Sequence, residues 1–171
     1  MRGDRAAGSH GPARRKGPLL RLTIQADACA IRSLLSRVVL ALDGLRLSPD
    51  RLGDIELVLA EVLNNIQRHA YGGDPGEIEL ELASGGDVLI CTVTDRGRPM
   101  PGGQLPAGRA VEVDVCSEML PEGGFGWFLI RSHAARLDYR RLNDRNRLTV
   151  HLPLTGDTQD LPLVHTGHPQ R

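Results

Sequence analysis

The segment 48–70 constrains the fold most, because its pattern predicts one long helix with a single buried face. Ser48 can cap this helix, Pro49 suits its first turn, and Asp50 suits the positive end of the helix dipole. Aliphatic residues recur mostly at intervals of three and four along it: Leu52, Ile55, Leu59, Val62, Leu63, Ile66 and Ala70. Such a stripe has to be covered by a sheet or by other helices.

The remaining patterns supply the elements that can cover this stripe. Segments with alternating apolar and polar residues predict strands over 19–27, 77–84, 87–95, 137–144 and 145–154. Segments with a helical apolar stripe predict further helices over 28–44 and 126–137. Strands joined as hairpins favour a mixed, mainly antiparallel sheet. The sequence therefore predicts an α/β two-layer sandwich with the helices on one face.

Composition sets the boundaries of this domain. A chain of 171 residues can bury a real core, which must be aliphatic because aromatic residues make up only 3%. Residues 1–17 are rich in Gly, Arg, Ser and Pro and predict a disordered basic tail, and residues 156–171 predict a flexible C-terminal tail. The predicted folded domain is 18–155.

Charge and residue types limit the classes of function. A formal net charge of +0 creates no global field toward nucleic acid or membrane, and few aromatic residues are available for stacking on single strands. A nucleic-acid contact by the basic tail is the weaker alternative. No apolar run approaches the roughly 18 residues of a spanning helix. Cys29 and Cys91 are predicted core residues, and with Cys116 they favour the reducing cytoplasm.

Polar residues crowd the second half of helix 48–70, in AEVLNNIQRHAY. Glu61 and Asn65 lie four residues apart and share a face, which Arg68 and His69 extend by a turn. Magnesium takes hard oxygen ligands and borrows others from phosphates, so one Asn oxygen suffices as the protein ligand. A carboxylate one turn away can orient a hydroxyl or water. A solvated helix face is the alternative interpretation of these residues alone.

Two motifs with glycine follow this helix. Asp95 ends a strand in VTDRGRP, where a carboxylate can accept the exocyclic amine of adenine and Gly97 allows close backbone approach. The glycines of EGGFG precede helix 126–137, whose first N–H groups can face phosphate oxygens. The structural alternatives are an ordinary turn and a flexible helix start. Between the motifs, residues 96–123 show no period and predict a lid or binding loop.

In this order the motifs resemble those of the histidine kinase-like (GHKL) ATPases, which have the Bergerat ATP-binding fold. The likeness is strongest to the small anti-sigma-factor serine/threonine kinases. EVLNNIQRHAY resembles the N box of the family, DRGRP its G1 box, and PEGGFGWFLIRS its G2 box. The resemblance covers residues 19–154.

The resemblance implies ATP and magnesium as the bound groups. It implies that Glu61 is catalytic, that Asn65 binds magnesium and the nucleotide, and that Asp95 reads adenine. It also implies nucleotide contacts for a further set: Arg68, His69, Gly97, Gly124, Phe125, Gly126 and Thr149. Two departures from the family pattern are Pro99, at the second glycine position of the G1 box, and Met100-Pro101 in place of Phe-Asp.

The resemblance further implies a protein serine/threonine kinase that acts as an anti-sigma factor. Its substrate would be a STAS-type anti-anti-sigma protein, which competes with a sigma factor for the kinase. A homodimer is also implied, for which the first strand and helix offer aliphatic residues. Direct contact with nucleic acid or membrane is not expected. The main alternative is a regulatory module that sequesters a partner without kinase activity, and a phosphotransfer or phosphatase accessory is a weaker one.

Overall fold

The computed structural model describes residues 18–108 and 125–155. Within these ranges the strands are β1 (Leu20–Gln25), β2 (Glu77–Ser84), β3 (Val88–Asp95), β4 (Arg136–Leu142) and β5 (Arg145–Pro153). The α-helices are α1 (Ala28–Leu42), α2 (Pro49–Asn65) and α3 (Phe125–His133). A π-helix follows α2 at Ile66–Ala70, and 3-10 turns occur at Asp43–Leu45 and Pro101–Gly103. The two predicted tails and residues 109–123 of the predicted lid lie outside the described residues.

The strands form one sheet in the order β1-β2-β3-β5-β4, and every neighbouring pair is antiparallel. The helices cover one face, so the predicted α/β two-layer sandwich is confirmed. The predicted mixed sheet is purely antiparallel within the described strands. The register pairs Asp95, the last residue of β3, with Asn146 near the start of β5. This pairing puts two polar side chains on the helix-covered face at one end of the sheet.

The core lies between the inward face of the sheet and the helices, and it is mainly aliphatic, as predicted. Buried strand residues include Ile78, Leu80, Leu82, Leu89, Cys91, Val150 and Leu152. Buried helix residues include Leu34, Val38, Ile55, Leu59, Leu63 and Ile130. Burial of each large aliphatic side chain contributes about 1.5–3 kcal/mol. Cys91 is buried as predicted, whereas the prediction for Cys29 is wrong: it is exposed in the first turn of α1.

The end of α2 is tied to the sheet by Tyr71. Its hydroxyl donates to the Glu77 carbonyl (2.6 Å) and accepts from the Arg96 N–H (3.1 Å). The predicted helix 48–70 therefore continues through Ile66–Ala70, but the last turns are π-helical, a form that often occurs at functional sites. Helix α3 ends earlier than predicted, because the Ala135 N–H already donates to His151 O and β4 begins at Arg136.

Within the ranges 18–108 and 125–155, no helix combines the length and apolar character needed to cross a membrane.

Candidate functional site

A cavity of about 440 Å³ is bounded by the end of α2, the turn after β3, the start of α3 and the ends of β4 and β5. Most of its walls are apolar: Val62, Ile66, Ala70, Pro99, Met100, Pro101, Pro106, Trp127 and Leu148. Its polar lining consists of Asn65, His69, Asp95, Arg98, Tyr139 and Asn146. Apolar walls with a few converging polar groups are typical of small-molecule sites. The two departures at positions 99 and 100 thus supply cavity wall.

Asp95 is the buried acid of the cavity, with 5% of its surface exposed. Its Oδ1 accepts hydrogen bonds from the Gly97 N–H (2.8 Å) and from Asn146 Nδ2 (2.8 Å). Burial raises the pKa of Asp95, while these two donors and the charge of Arg141 act to lower it. Among the described residues no donor reaches Oδ2. A ligand amine in the cavity can therefore donate to that oxygen.

Gly97 lets the turn after β3 lie against the end of the long helix. A methyl group on Gly97 would lie 2.7 Å from the backbone carbonyl of Ala70, so a larger residue cannot be accommodated without a backbone shift. The next residue, Arg98, donates its N–H to the Ala70 carbonyl (2.8 Å). Gly97 is buried and is not part of the cavity lining. Its contacts indicate packing of the turn, and the predicted approach to a base stays a prediction.

Glu61, Asn65 and Gly126 meet where α2 packs against the start of α3. A methyl group on Gly126 would lie less than 3.0 Å from Glu61 Oε2 and 3.7 Å from Asn65 Nδ2. Asn65 lines the cavity, and its Nδ2 is buried with no hydrogen-bond partner among the described residues. A buried polar group of this kind is costly unless a ligand satisfies it. The structure therefore brings together residues from two separate sequence motifs.

The other predicted residues are placed less uniformly. His69 lines the cavity although it is largely exposed, whereas Arg68 is exposed and lies outside the lining. Phe125 is 50% exposed and stacks on Phe128 with ring centroids 6.1 Å apart, also outside the lining. Gly124 lies outside the described residues.

Thr149 requires a correction. The buried residues of β5 are Asn146, Leu148, Val150 and Leu152, and side chains alternate along a strand. Thr149 therefore points to the face of the sheet away from the helices, opposite Thr92 and Asp138. The cavity is lined by its neighbour Leu148 instead. We remove Thr149 from the predicted site.

Comparison with known proteins gives the family. Residues 24–152 match the model of the histidine kinase-like ATPase domain. This chain belongs to that family. The match spans the whole sheet core and both sides of the cavity, so the cavity is part of the ATPase domain. The family and fold support an ATP-using, kinase-type enzyme, and ATP binding follows from the family.

Solved structures share the fold of this ATPase domain. The RsbU and RsbW domains of Rv1364c from Mycobacterium tuberculosis align with a TM-score of 0.54 at 17% identity, covering 81% of this chain and 33% of that chain. The blue-light activated histidine kinase of Erythrobacter litoralis EL346 aligns with a TM-score of 0.49 at 22% identity, covering 75% and 42%. The chain thus spans less than half the length of either. None of the curated proteins matches it in sequence.

The residues of this ATPase domain fit a magnesium nucleotide. The unsatisfied amide of Asn65 can present its carbonyl oxygen after a 180° turn of the side chain. Glu61 lies beside it at the start of α3. Within the described residues no group of three or more His, Cys, Asp or Glu side chains could hold a metal alone. Asn65 would therefore share a magnesium ion with phosphate oxygens of the nucleotide.

Sequence reasoning missed three residues of the ATPase cavity: Trp127, Tyr139 and Asn146. Asn146 left a signal, because in RNRLTVHLPL it occupies an inward position of an otherwise apolar alternation. A polar residue on the buried face of a strand needs partners, and here those partners include Asp95. Trp127 and Tyr139 left no signal of this kind, because the cavity they line is formed by distant segments.

Proposed function

We propose that this chain is an ATP- and magnesium-dependent protein serine/threonine kinase that acts as an anti-sigma factor. The observation that carries the proposal is the meeting of Glu61, Asn65 and Gly126 beside a cavity that also contains Asp95. A site for nucleotide alone needs no carboxylate next to the metal ligand. A kinase needs one, because an acceptor hydroxyl must be oriented there.

The adenine is proposed to lie between the apolar walls of the cavity. Asp95 Oδ2 would accept its exocyclic amine, and Pro99, Met100 and Trp127 would contact the base. Phosphate oxygens would lie near Gly124, Phe125 and Gly126, because the first N–H groups of a helix are free to bind anions. His69 would border the phosphates from the other helix. Asn65 would hold the magnesium ion.

The proposed reaction transfers the γ-phosphoryl group to a Ser or Thr hydroxyl. The hydroxyl oxygen bonds to the γ-phosphorus, the bond from that phosphorus to the β–γ bridging oxygen breaks, and ADP leaves. Glu61 orients the hydroxyl and takes its proton. Magnesium, when bound, neutralises charge on the phosphate oxygens. Because such transfers have a loose transition state, placing the hydroxyl matters at least as much as removing its proton.

The proposed substrate is a STAS-type anti-anti-sigma protein in the same cytoplasm. Its unphosphorylated form would compete with a sigma factor for this chain, and phosphorylation would release it. The motif resemblance supports this assignment, and so does the fold shared with a protein that contains RsbU and RsbW domains. No direct contact with nucleic acid or membrane is proposed.

We also propose that the chain forms a homodimer through the helix-free face of the sheet. The aliphatic stripe of α1 is used by the core, which leaves little of the predicted apolar interface. On the helix-free face, Glu79 on β2 and Arg147 on β5 lie in one cross-strand row, on either side of Thr94 in the central strand β3. A two-fold axis along β3 would stack acidic β2 of one copy on basic β5 of the other.

Charge reversal tests the proposed dimer. The single variants Glu79→Arg and Arg147→Glu should weaken dimerisation measured by light scattering, and the double variant should restore it. Arg21 also donates to the Glu79 carboxylate, so the thermal stability of each monomer is measured as a control. A wild-type protein that stays monomeric at high concentration contradicts this part of the proposal.

The kinase proposal is tested with purified chain, magnesium, ATP labelled at the γ-phosphate, and STAS proteins encoded in the same genome. The expected result is label on a Ser or Thr of one STAS protein. Magnesium-dependent ATP binding without label on any of them would support the alternative, a sequestering module. A chain that binds no nucleotide would contradict the proposed site itself.

A further inference from the structure

Asn146 is the centre of a hydrogen-bond network behind Asp95. It is 4% exposed and pairs with Asp95 in the β3–β5 register. Its Nδ2 donates to Asp95 Oδ1 (2.8 Å), to the Gly97 carbonyl (3.2 Å) and to the Arg98 carbonyl (3.1 Å). A carboxamide nitrogen carries two hydrogens, so at least one of them is shared between acceptors. Both donor positions are therefore fully used.

The other end of the Asn146 side chain is equally engaged. Its Oδ1 accepts from the Tyr139 hydroxyl (2.8 Å) and from Arg141 Nη1 (2.6 Å). The Tyr139 hydroxyl in turn accepts from the Met100 N–H (3.0 Å), and Arg141 Nη1 also donates to the Gly97 carbonyl (3.0 Å). Because both ends are held by named partners, the carboxamide has one orientation. Satisfied networks of this kind are rigid.

We propose that Asn146 is a positioning residue that sets the base selectivity of the nucleotide site. This inference rests on the proposed nucleotide function. Asn146 and the Gly97 N–H together occupy Oδ1 of Asp95, which leaves Oδ2 as the acceptor offered to the cavity. A fixed acceptor favours adenine, whose exocyclic amine donates, over guanine, whose carbonyl at the same position accepts.

The same network also fixes the wall against which the base lies. Asn146 bonds the carbonyls of Gly97 and Arg98, which directly precede Pro99 and Met100 in the cavity wall. Tyr139 connects Asn146 to the backbone of Met100. The acceptor and the wall are thus set by one side chain, so their separation does not vary independently. A base of the wrong donor pattern cannot be accommodated by a small shift of either.

Two variants of Asn146 remove this control in different ways. Asn146→Asp keeps the shape and the acceptor for Tyr139 and Arg141, but it replaces the donor next to Asp95 with an acceptor. Asn146→Ser is milder, because its hydroxyl keeps one donor and leaves the carboxylate of Asp95 free to turn. The matched control is Val150→Ala, a core truncation on the same face of β5 at a residue with no exposed surface.

The test compares the Kd values for ATP and GTP, both with magnesium, by calorimetry on the full chain. In each Asn146 variant the preference for ATP over GTP should fall on the order of tenfold or more, as expected when one hydrogen bond is no longer enforced. Val150→Ala should lower the thermal stability and leave the ATP/GTP ratio unchanged, which separates positioning from general destabilisation.

An unchanged ATP/GTP ratio in a folded Asn146 variant would overturn the proposal. Unfolding of both Asn146 variants would also overturn it, in favour of a purely structural role. Wild-type chain that binds neither nucleotide would instead contradict the proposed function, so the two failures are distinguishable.

Discussion

Gly126, at the start of α3, lies directly against Glu61 in α2. A methyl group on Gly126 would come closer than 3.0 Å to Glu61 Oε2, a separation that real side-chain carbons do not show. The obstructing atom is the end of a side chain, so a methyl group would displace the Glu61 carboxylate and leave the backbone in place. The absence of a side chain at position 126 therefore determines where this carboxylate can lie.

Gly126→Ala should lower the rate of phosphoryl transfer by about 100-fold, because displacing a positioned group by about 1 Å has an effect of that order. Its Kd for ATP should change far less. The control is Gly53→Ala, at an exposed position of α2 with nothing within 4 Å of the added carbon. That control should raise the free energy of unfolding by up to about 1 kcal/mol and keep full activity. Equal rates for Gly126→Ala and wild type would contradict the role given to this contact.

Asn65→Ala should abolish magnesium-dependent ATP binding and leave the fold intact, since it removes the unsatisfied amide that lines the cavity. Calorimetry with and without magnesium measures this loss. The matched control is Asn64→Ala, the neighbouring Asn, which is not part of the lining. If Asn65→Ala binds ATP with unchanged magnesium dependence, Asn65 is misassigned.

The pKa of Asp95 is raised by burial, against the effects of Asn146, the Gly97 N–H and Arg141. Between the ordinary pKa near 3.9 and the raised value, the folded chain binds a proton that the unfolded chain does not. The contribution of Asp95 to the free energy of unfolding therefore falls as pH rises through that window. The affinity for ATP should change in the opposite direction, because only the ionised form is a pure acceptor.

Asp95→Asn tests both trends. It keeps an oxygen for the Gly97 N–H but cannot lose a proton, so denaturant unfolding from pH 4 to 6 should lose the contribution of this site. Its affinity for ATP should be low at every pH. A variant that retains the pH dependence of ATP binding seen in wild type would show that another group is responsible.

His151, on the helix-free face, has a lowered pKa because of burial and the nearby Arg136, with Asp138 acting in the opposite sense. The folded chain therefore binds fewer protons at this site than the unfolded chain, so the contribution of His151 to stability is lost as pH falls through about 6.5. Thermal unfolding from pH 8 to 5 should show a smaller decrease in His151→Gln than in wild type. Equal decreases in both proteins would exclude His151 as the titrating group.

Local patterns explain why much of the fold could be predicted from the sequence. The cap of α2 is formed as expected, with Ser48 Oγ accepting from the Arg51 N–H (3.2 Å). Strand β2 has the predicted bounds, and β3 differs by one residue, because alternation and the turn glycines between them are local signals. The long helix was predicted from its stripe, but its π-helical end was not, since that end depends on contacts with the turn after β3.

The candidate site was only partly predictable, because its walls come from distant segments. Asn65 and Asp95 each follow from a motif, but the register that pairs Asp95 with Asn146 cannot be obtained from either motif alone. The same register explains the error at Thr149, since a shift of one residue along a strand reverses the face. Pro99, a departure from the family pattern, becomes part of the cavity wall only once the turn is folded.

The most direct test of the central claim compares wild type and Glu61→Gln in transferring labelled phosphate to a STAS protein. The Gln side chain keeps the size and hydrogen bonding of Glu61 but cannot accept the proton. The Kd for ATP and the binding of the partner should be retained, while the transfer rate should fall by about 100- to 10,000-fold. Glu61→Asp, which keeps the carboxylate on a shorter chain, should lose less. Equal transfer rates for wild type and Glu61→Gln would contradict the account, because Glu61 would then have no part in the reaction.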